Sequence, residues 1–312
     1  MPEKIKMIGE SLQALIEDRR IIARCELLHR IYELVRRADL DASERDELES
    51  VVGKRLAPGI FTSIMSGAPP FELAGVASFT TLHNRIFQYV DCYAPTDYER
   101  AYNQFLNSKE ELRELVIVDL KTVLLDFMTD AGYHIVEESP RRAIFTNQTD
   151  QLDCQIYPSI KAIDIENIGK IGKCAVLLVP QHGESPEPFI EFYKEKGRAI
   201  EEAELQMWVA NLEEGMIDPF IGYPKDINIY NQFKHPKLAM KIRSIWGVTP
   251  KPGSPPGGCP FEAARQLQPM AYHPNQDRIE TYQKVPLSGS SSTLSSGCWS
   301  DLLEHIKLYF MY

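Results

Sequence analysis

The chain has 312 residues, of which 44% are hydrophobic and 25% are charged. This is the composition of a globular protein with enough apolar surface for a core, and the length predicts about two domains plus extensions. The net charge of −10 disfavours non-specific binding of nucleic acid, which usually needs a basic excess, and leaves room only for a local basic patch.

The six cysteines are scattered along the chain without a CxxC pair. This pattern indicates reduced thiols rather than a disulfide framework or a zinc site. The first residues lack the apolar core of a signal peptide, and no stretch approaches the roughly 18 apolar residues of a membrane span. We therefore expect a cytoplasmic protein that does not enter a membrane.

The N-terminal third of the chain predicts a helical region, residues 1–107. Apolar residues recur at spacings of three and four over residues 3–38, which predicts one long amphipathic helix. Residues 39–56 predict a second helix, capped by Asp41 or Ser43. Such a hairpin is usually structural or a dimerisation surface, so we expect a protein partner or a second copy of the chain to bind through these helices.

Residues 57–107 complete the predicted helical region. Residues 57–80 are rich in Gly, Pro and small residues and predict a loop with short turns. The segments "LHNRIFQYVDCY" (82–93) and "TDYERAYNQFLN" (96–107) predict two helices lined with aromatic side chains. Such a stripe packs in a core more often than it stacks on a flat ligand.

Residues 108–247 predict a mixed α/β domain with three layers, which places the chain in the α+β or α/β class. A helix opens with Ser108 and Glu111 as a capping box and closes on Gly132. Three short β-like runs follow, at 133–138, 141–147 and 152–158. Then "CAVLLVP", a helix and "QMWVANL" predict a buried strand, a right-handed crossover and a parallel strand.

The C-terminal part of the chain predicts a different kind of structure. Residues 215–234 predict a turn-rich wrap, and a helix follows at about 235–246. Residues 248–312 predict a flexible tail, because Pro, Gly and Ser dominate it without apolar periodicity. Its last segment, "CWSDLLEHIKLYFMY", is apolar and either docks on a partner or folds back on the body.

The order of elements over residues 108–215 resembles the PD-(D/E)XK family, which has the restriction-endonuclease-like fold. In that family an Asp ends one strand, and an acid and a Lys separated by one residue lie on the next. They bind Mg²⁺ and position the attacking water. The resemblance places Asp153 of "LDCQIYP" at the position of that Asp. The next strand departs from the pattern, because Leu178 and Pro180 stand where the acid and the Lys would be and neither can bind a metal.

Two other carboxylates could rebuild a metal site from neighbouring strands. Asp164 and Glu166 alternate on one face of a predicted strand, and with Asp153 they would make a carboxylate cluster for Mg²⁺. The alternative is that both are acids facing solvent on an edge strand.

The loop "PQHGES" after the buried strand holds His182 and Glu184. H-x-E is the first half of a zinc deaminase signature, but the second half, P-C-x-x-C, is absent. Glu184 and Glu187 flank the start of the next helix and would repel phosphate from it. We therefore interpret this junction as structural.

Our leading hypothesis is a non-catalytic interaction or regulatory protein with a degenerate nuclease-like α/β domain and no cofactor. The alternative is a Mg²⁺-dependent nuclease with displaced ligands. Its metal candidates are Asp153, Asp164 and Glu166, and its catalytic candidates are Asp153, Glu184 and His182. A small-molecule enzyme that uses the His182 loop is a third hypothesis.

Overall fold

The structure is a computed structural model that describes residues 3–71, 78–83, 85–89, 94–163, 175–181 and 187–236. The helices in these ranges are α1 (Glu3–Arg19), α2 (Arg24–Ala38), α3 (Ala42–Val52), α4 (Leu56–Ser66), α5 (Pro95–Asp130), α6 (Glu187–Glu202) and α7 (Ile227–Gln232), with a 3-10 turn at Ile160–Ala162. The strands are β1 (Ile21–Ala23), β2 (Ser78–Leu82), β3 (Arg85–Tyr89), β4 (His134–Ser139), β5 (Arg142–Thr146), β6 (Gln151–Ile156), β7 (Val176–Pro180), β8 (Gln206–Asn211) and β9 (Met216–Ile221).

Six strands form a mixed sheet in the order β4-β5-β6-β7-β8-β9. The pairs β6–β7 and β7–β8 are parallel, and the other neighbours are antiparallel. Residues 176–179 of β7 are all buried, as expected for a strand with parallel neighbours on both sides and cover on both faces. The predicted buried strand and the predicted mixed sheet are therefore confirmed.

Two helices cover this sheet. Trp208 of β8 packs edge-to-face on Phe127 of α5, with 5.6 Å between ring centroids. Phe220 of β9 packs edge-to-face on Phe189 of α6, at 5.5 Å. Both Trp208 and Phe220 are almost completely buried. The predicted class, a helical N-terminal region followed by a mixed-sheet domain with helices packed on it, is confirmed.

The helical region packs directly on the end of this sheet. Strands β1, β3 and β2 form a small antiparallel sheet beside the helices. The Tyr32 hydroxyl of α2 donates a hydrogen bond of 2.8 Å to the carbonyl oxygen of Leu212, which follows β8. Arg24, the first residue of α2, binds Glu213 in the same turn. These contacts fix α2 against the β8–β9 turn.

Two predicted helices are wrong. The long helix over residues 3–38 is interrupted, because Arg20 adopts a left-handed φ of 58° and residues 21–23 form β1. The β-branched Ile21 and Ile22 are buried in that strand. The predicted helix over residues 82–93 is also wrong where the structure describes it, because residues 85–89 form β3. Pairing with β1 and β2 overrides the helical spacing of its aromatic residues.

The predicted loop over residues 57–80 is wrong in its first part, because α4 continues to Ser66. Pro58 is tolerated in the first turn of α4, where the backbone N–H groups have no intrahelical acceptor. The predicted turn-rich wrap also contains a regular strand, β9.

The expected start of the α/β domain at residue 108 falls inside one continuous helix. Helix α5 begins at Pro95, a favoured first residue, and the Ala94 N–H donates to the Asp97 carboxylate at 3.2 Å. Ser108 is not a cap, since its hydroxyl lies 3.3 Å from the Gln104 carbonyl oxygen within the helix. The expected helix at about 235–246 and the tail, residues 248–312, lie almost entirely outside the described residues. Within the described ranges, every helix is too short or too polar to span a bilayer.

Candidate functional site

Asp153, the metal and catalytic candidate on β6, is bound to an arginine of the neighbouring strand. Arg142 of β5 donates from Nε to Oδ1 and from a terminal nitrogen to Oδ2 of Asp153, each at 2.9 Å. This contact raises the pKa of the Arg142 guanidinium. In the described part of the chain, no three His, Cys, Asp or Glu side chains are grouped so that they could hold a metal ion. Asp153 therefore acts in a cross-strand ion pair.

The other predicted site residues cannot be placed. Asp164, Glu166, His182 and Glu184 lie outside the described residues. Asp153 is therefore the single predicted site residue whose surroundings are described, and the sequence did not predict the site that follows.

A cleft of about 580 Å³ lies at the carboxyl ends of the parallel strands. Its wall includes Pro158 and Ser159 after β6, Pro180 at the end of β7, and Asn211 at the end of β8. Because β6, β7 and β8 run in the same direction, their carboxyl ends meet at one edge. Ligands of open α/β sheets bind at such an edge, and this volume is typical of small-molecule sites. We call it the basic cleft.

Cationic side chains dominate the charge of the basic cleft. Its lining contains five cations and two carboxylates: Arg24, Arg85, Lys109, Arg113 and Lys161, with Glu110 and Glu213. Arg24 and Glu213 neutralise each other through contacts of 2.8 and 2.6 Å. What remains is a cationic surface in a chain whose net charge is −10.

Three of these cations have no carboxylate partner among the residues that the structure describes. Within the ranges that the structure describes, Lys109, Arg113 and Lys161 form neither an ion pair nor a side-chain hydrogen bond. Lys109 and Arg113 are four residues apart on α5 and therefore lie on the same helix face. Three cations that lack a described carboxylate partner and surround one cleft indicate a binding site for an anion.

The remaining wall of the cleft is apolar. Side chains from α2, α5, β3 and the β8–β9 turn contribute to it: Leu28, Ile86, Phe105, Leu112, Val116 and Leu212. The guanidinium of Arg85 lies over the Phe105 ring, 5.4 Å from its centroid. A ligand that matches this cleft has an anionic group and an apolar body.

A buried histidine also lines the cleft. His29 of α2 is 5% exposed, and its Nδ1 lies 2.6 Å from Oδ2 of Asp119 on α5. The other carboxylate oxygen of Asp119 accepts a hydrogen bond from Arg36, and Asp119 is completely buried. No described residue is within hydrogen-bond range of Nε2 of His29. A carboxylate at Nδ1 favours the Nδ1–H tautomer and leaves Nε2 as an acceptor.

Two sequence signals could have pointed to this site. Asp119 lies in the apolar run "LVIVDLKTVLL", where an acid is expected to be buried only if it is paired. Cys25 and His29 lie on the apolar face of α2 at a spacing of four. Their partners are distant in sequence, since Asp119 is 90 residues from His29, so their association depends on the fold.

One family model matches the chain. Residues 163–235 match a model described as "Domain of unknown function (DUF6834), C-terminal domain". The matched segment contains β7, α6, β8, β9 and α7, and thus the ends of β7 and β8 that line the basic cleft. No curated protein matches the chain.

Proposed function

We propose that this protein binds a small anionic ligand with an apolar body in the basic cleft, and that it acts as an interaction or regulatory protein through this ligand. The observation that carries the proposal is that Lys109, Arg113 and Lys161, which have no carboxylate partner in the described part of the chain, surround an apolar cleft. The cytoplasmic location expected from the cysteines is part of the same proposal.

The positive charge of this protein is concentrated locally, in the basic cleft. Overall, the chain repels anions, and the two carboxylates of the cleft are outnumbered by its cations. Cations that are held near a low-dielectric apolar wall attract an anion more strongly than cations in open solvent. The cleft therefore concentrates the cationic charge that the rest of the chain lacks.

The position of the cleft connects ligand binding to the rest of the fold. Its walls come from the helical region and from the strand ends of the mixed sheet. A ligand that contacts Lys109 of α5 and Gln181 after β7 would stabilise the contact between these parts, since it binds only the folded arrangement. With the ligand bound, the surface that this protein offers to a partner would be more rigid.

The test is a fluorescence titration with 8-anilinonaphthalene-1-sulfonate, an anion with an aromatic body. We expect saturable binding that weakens about tenfold in the double variant Lys109→Gln/Arg113→Gln, because two charge-assisted contacts are lost from partly solvated positions. The matched control is Lys194→Gln/Lys225→Gln, which removes the same charge from exposed positions outside the cleft. Equal affinity in both double variants would contradict the proposal.

A further inference from the structure

His29 brings to the basic cleft a buried side chain with one nitrogen that is still available. It lines the cleft from α2 and is 5% exposed. Its Nδ1 lies 2.6 Å from Oδ2 of Asp119, and no described residue is within hydrogen-bond range of Nε2. Nε2 is not one of the fully enclosed side-chain atoms that lack a partner in the described part of the chain. This nitrogen therefore opens onto the cleft that His29 lines.

The imidazole of His29 is held in one orientation. Asp119 of α5 is completely buried and binds Nδ1 through one carboxylate oxygen, while Arg36 binds the other oxygen. Because Arg36 already balances the charge of Asp119, a neutral ring with its proton on Nδ1 satisfies the contact. Nε2 then carries a lone pair and is a hydrogen-bond acceptor with a fixed direction.

The apolar wall around this acceptor makes the cleft selective. Leu28 of α2 and Leu112 and Val116 of α5 line the cleft together with His29. A ligand that covers Nε2 with an apolar group removes water from it and leaves a buried acceptor without a partner, which costs free energy. A ligand with a hydrogen-bond donor at that point replaces the water. The cleft can therefore discriminate between ligands that differ only in this donor.

The order of residues along α5 indicates where the donor lies on the ligand. Arg113 comes first, Val116 follows one turn later, and Asp119, which holds His29, follows one further turn along. A helix rises about 1.5 Å per residue, which puts Asp119 about 9 Å along the axis from Arg113. The anionic group and the donor therefore belong at opposite ends of the ligand, with the apolar body between them.

We propose that His29 is a specificity-determining residue of the basic cleft, and that the ligand is a hydroxylated anion whose hydroxyl group donates a hydrogen bond to Nε2. This inference rests on the proposed function, because it requires an anion in the cleft, and it adds the chemical class of anion that is selected. A neutral hydroxyl fits better than an ammonium group, since the cations that line the cleft repel a positive charge.

The first test compares matched probes on the unmodified full chain by isothermal titration calorimetry. The probes are naphthalene-2-sulfonate, its 6-hydroxy and 7-hydroxy derivatives, and the two corresponding methoxy derivatives. We expect at least one hydroxy derivative to bind about tenfold more tightly than naphthalene-2-sulfonate, which is the effect of one hydrogen bond to a buried acceptor. Its methoxy counterpart should lose this advantage, because it keeps the oxygen but has no proton to donate.

The second test repeats the titrations with variants. In His29→Gln the preference for the hydroxy derivative should disappear, because the shorter amide does not place an acceptor at the position of Nε2. The control, His134→Gln, makes the same substitution at an exposed position of β4 and should keep the full preference. The preference is a ratio of two affinities for one protein, so a smaller folded fraction lowers both affinities and leaves the ratio unchanged.

The third test observes the imidazole directly in the unmodified chain. A long-range ¹H–¹⁵N correlation spectrum should show a protonated Nδ1 and a bare Nε2 for His29, which is assigned by its absence in His29→Gln. The preferred hydroxy derivative should shift the Nε2 resonance, and its methoxy counterpart should not. A proton on Nε2 in the free protein would overturn the inference, because that nitrogen would then be a donor.

The outcomes distinguish this inference from the proposed function. Binding of naphthalene-2-sulfonate that weakens in Lys109→Gln/Arg113→Gln, without a preference for either hydroxy derivative, would overturn the role of His29 and leave the anion site intact. No binding of any sulfonate to the unmodified chain would contradict both. A preference that survives in His29→Gln would show that another residue accepts the hydrogen bond.

Discussion

His29 Nδ1 lies 2.6 Å from Oδ2 of Asp119, and this buried contact joins α2 of the helical region to α5. Arg36 of α2 binds the second oxygen of the same carboxylate. One buried acid therefore satisfies two side chains of the neighbouring helix. It also fixes the wall of the basic cleft, because His29 is part of that wall.

The first prediction concerns this acid. Asp119→Asn should lower the free energy of unfolding by about 2–4 kcal/mol, because it leaves Arg36 and His29 without their charged partner in the interior. Urea denaturation followed by circular dichroism measures the change. The control is Glu114→Gln on the same helix, whose ion pair with Arg141 is exposed and should contribute little. Equal small losses in both variants would show that the buried contact adds nothing to stability.

The second prediction concerns Tyr32 and alkaline pH. Burial, followed by the charge of Asp119, raises the pKa of the Tyr32 phenol well above its ordinary value. The folded chain therefore keeps this proton while the unfolded chain loses it above about pH 10, so the free energy of unfolding falls as pH rises beyond that point. Tyr32→Phe should be less stable at neutral pH, by about 1–2 kcal/mol, since the Leu212 carbonyl loses its donor.

Above about pH 10, the free energy of unfolding of Tyr32→Phe should fall less steeply with pH than that of the unmodified chain. Some slope should remain, because burial also raises the pKa values of Tyr133 and Cys154. Urea denaturation between about pH 8 and pH 11 measures both effects. Parallel curves for the two proteins would contradict the role assigned to the Tyr32 phenol.

The third prediction concerns Gly215 in the β8–β9 turn. Its φ is +62°, and a Cβ at this position would lie 2.8 Å from Cδ of Arg55 and 2.9 Å from Cγ of Pro58. Gly215→Ala should therefore cost more than the about 1 kcal/mol of left-handed strain. Gly67→Ala is the matched control, because Gly67 has a φ of +64° and nothing within 4 Å of its Cβ position. Thermal denaturation should give a clearly lower melting temperature for Gly215→Ala than for Gly67→Ala. The reverse order would show that the β8–β9 turn relaxes without a loss of stability.

The fourth prediction concerns Asp153 and the nuclease alternative. The bidentate contact with Arg142 predicts that Asp153→Asn and Arg142→Gln each lower stability slightly, and that the double variant loses no more than one of them. We expect no cleavage of DNA or RNA in Mg²⁺ or Mn²⁺. A melting temperature that rises with Mg²⁺ in the unmodified chain but not in Asp153→Asn, together with cleavage that disappears in Asp153→Ala, would support a metal site instead.

The sequence predicts the mixed sheet well, because local signals are sufficient there. The saturated apolar run of β7 and the apolar side chains of β8 show that both strands are buried, and the helical spacing between them shows the crossover. Strand β3 is different. It is stabilised by pairing with β1 and β2 on both edges, and no local pattern reports such pairing.

The candidate site was not predicted for a similar reason. Lys109 and Arg113 belong to α5 and Lys161 belongs to the 3-10 turn, and each resembles an ordinary surface charge in its own segment. Their common property, the lack of a carboxylate partner among the described residues, exists only in the folded chain. Asp153, the predicted metal and catalytic candidate, lies in β6, and its carboxylate binds Arg142 of the adjacent strand.

The central claim, that the basic cleft binds an anion, is tested most directly by mapping where the anion binds. Titration of ¹⁵N-labelled protein with 8-anilinonaphthalene-1-sulfonate, followed by amide chemical shifts, gives this map. We predict saturable shifts at Gln181 and Asn211, at residues 109–113 of α5 and at the start of α2, all of which disappear in Lys109→Gln/Arg113→Gln. Shifts that are confined to other surfaces, or that persist unchanged in this double variant, would contradict the account.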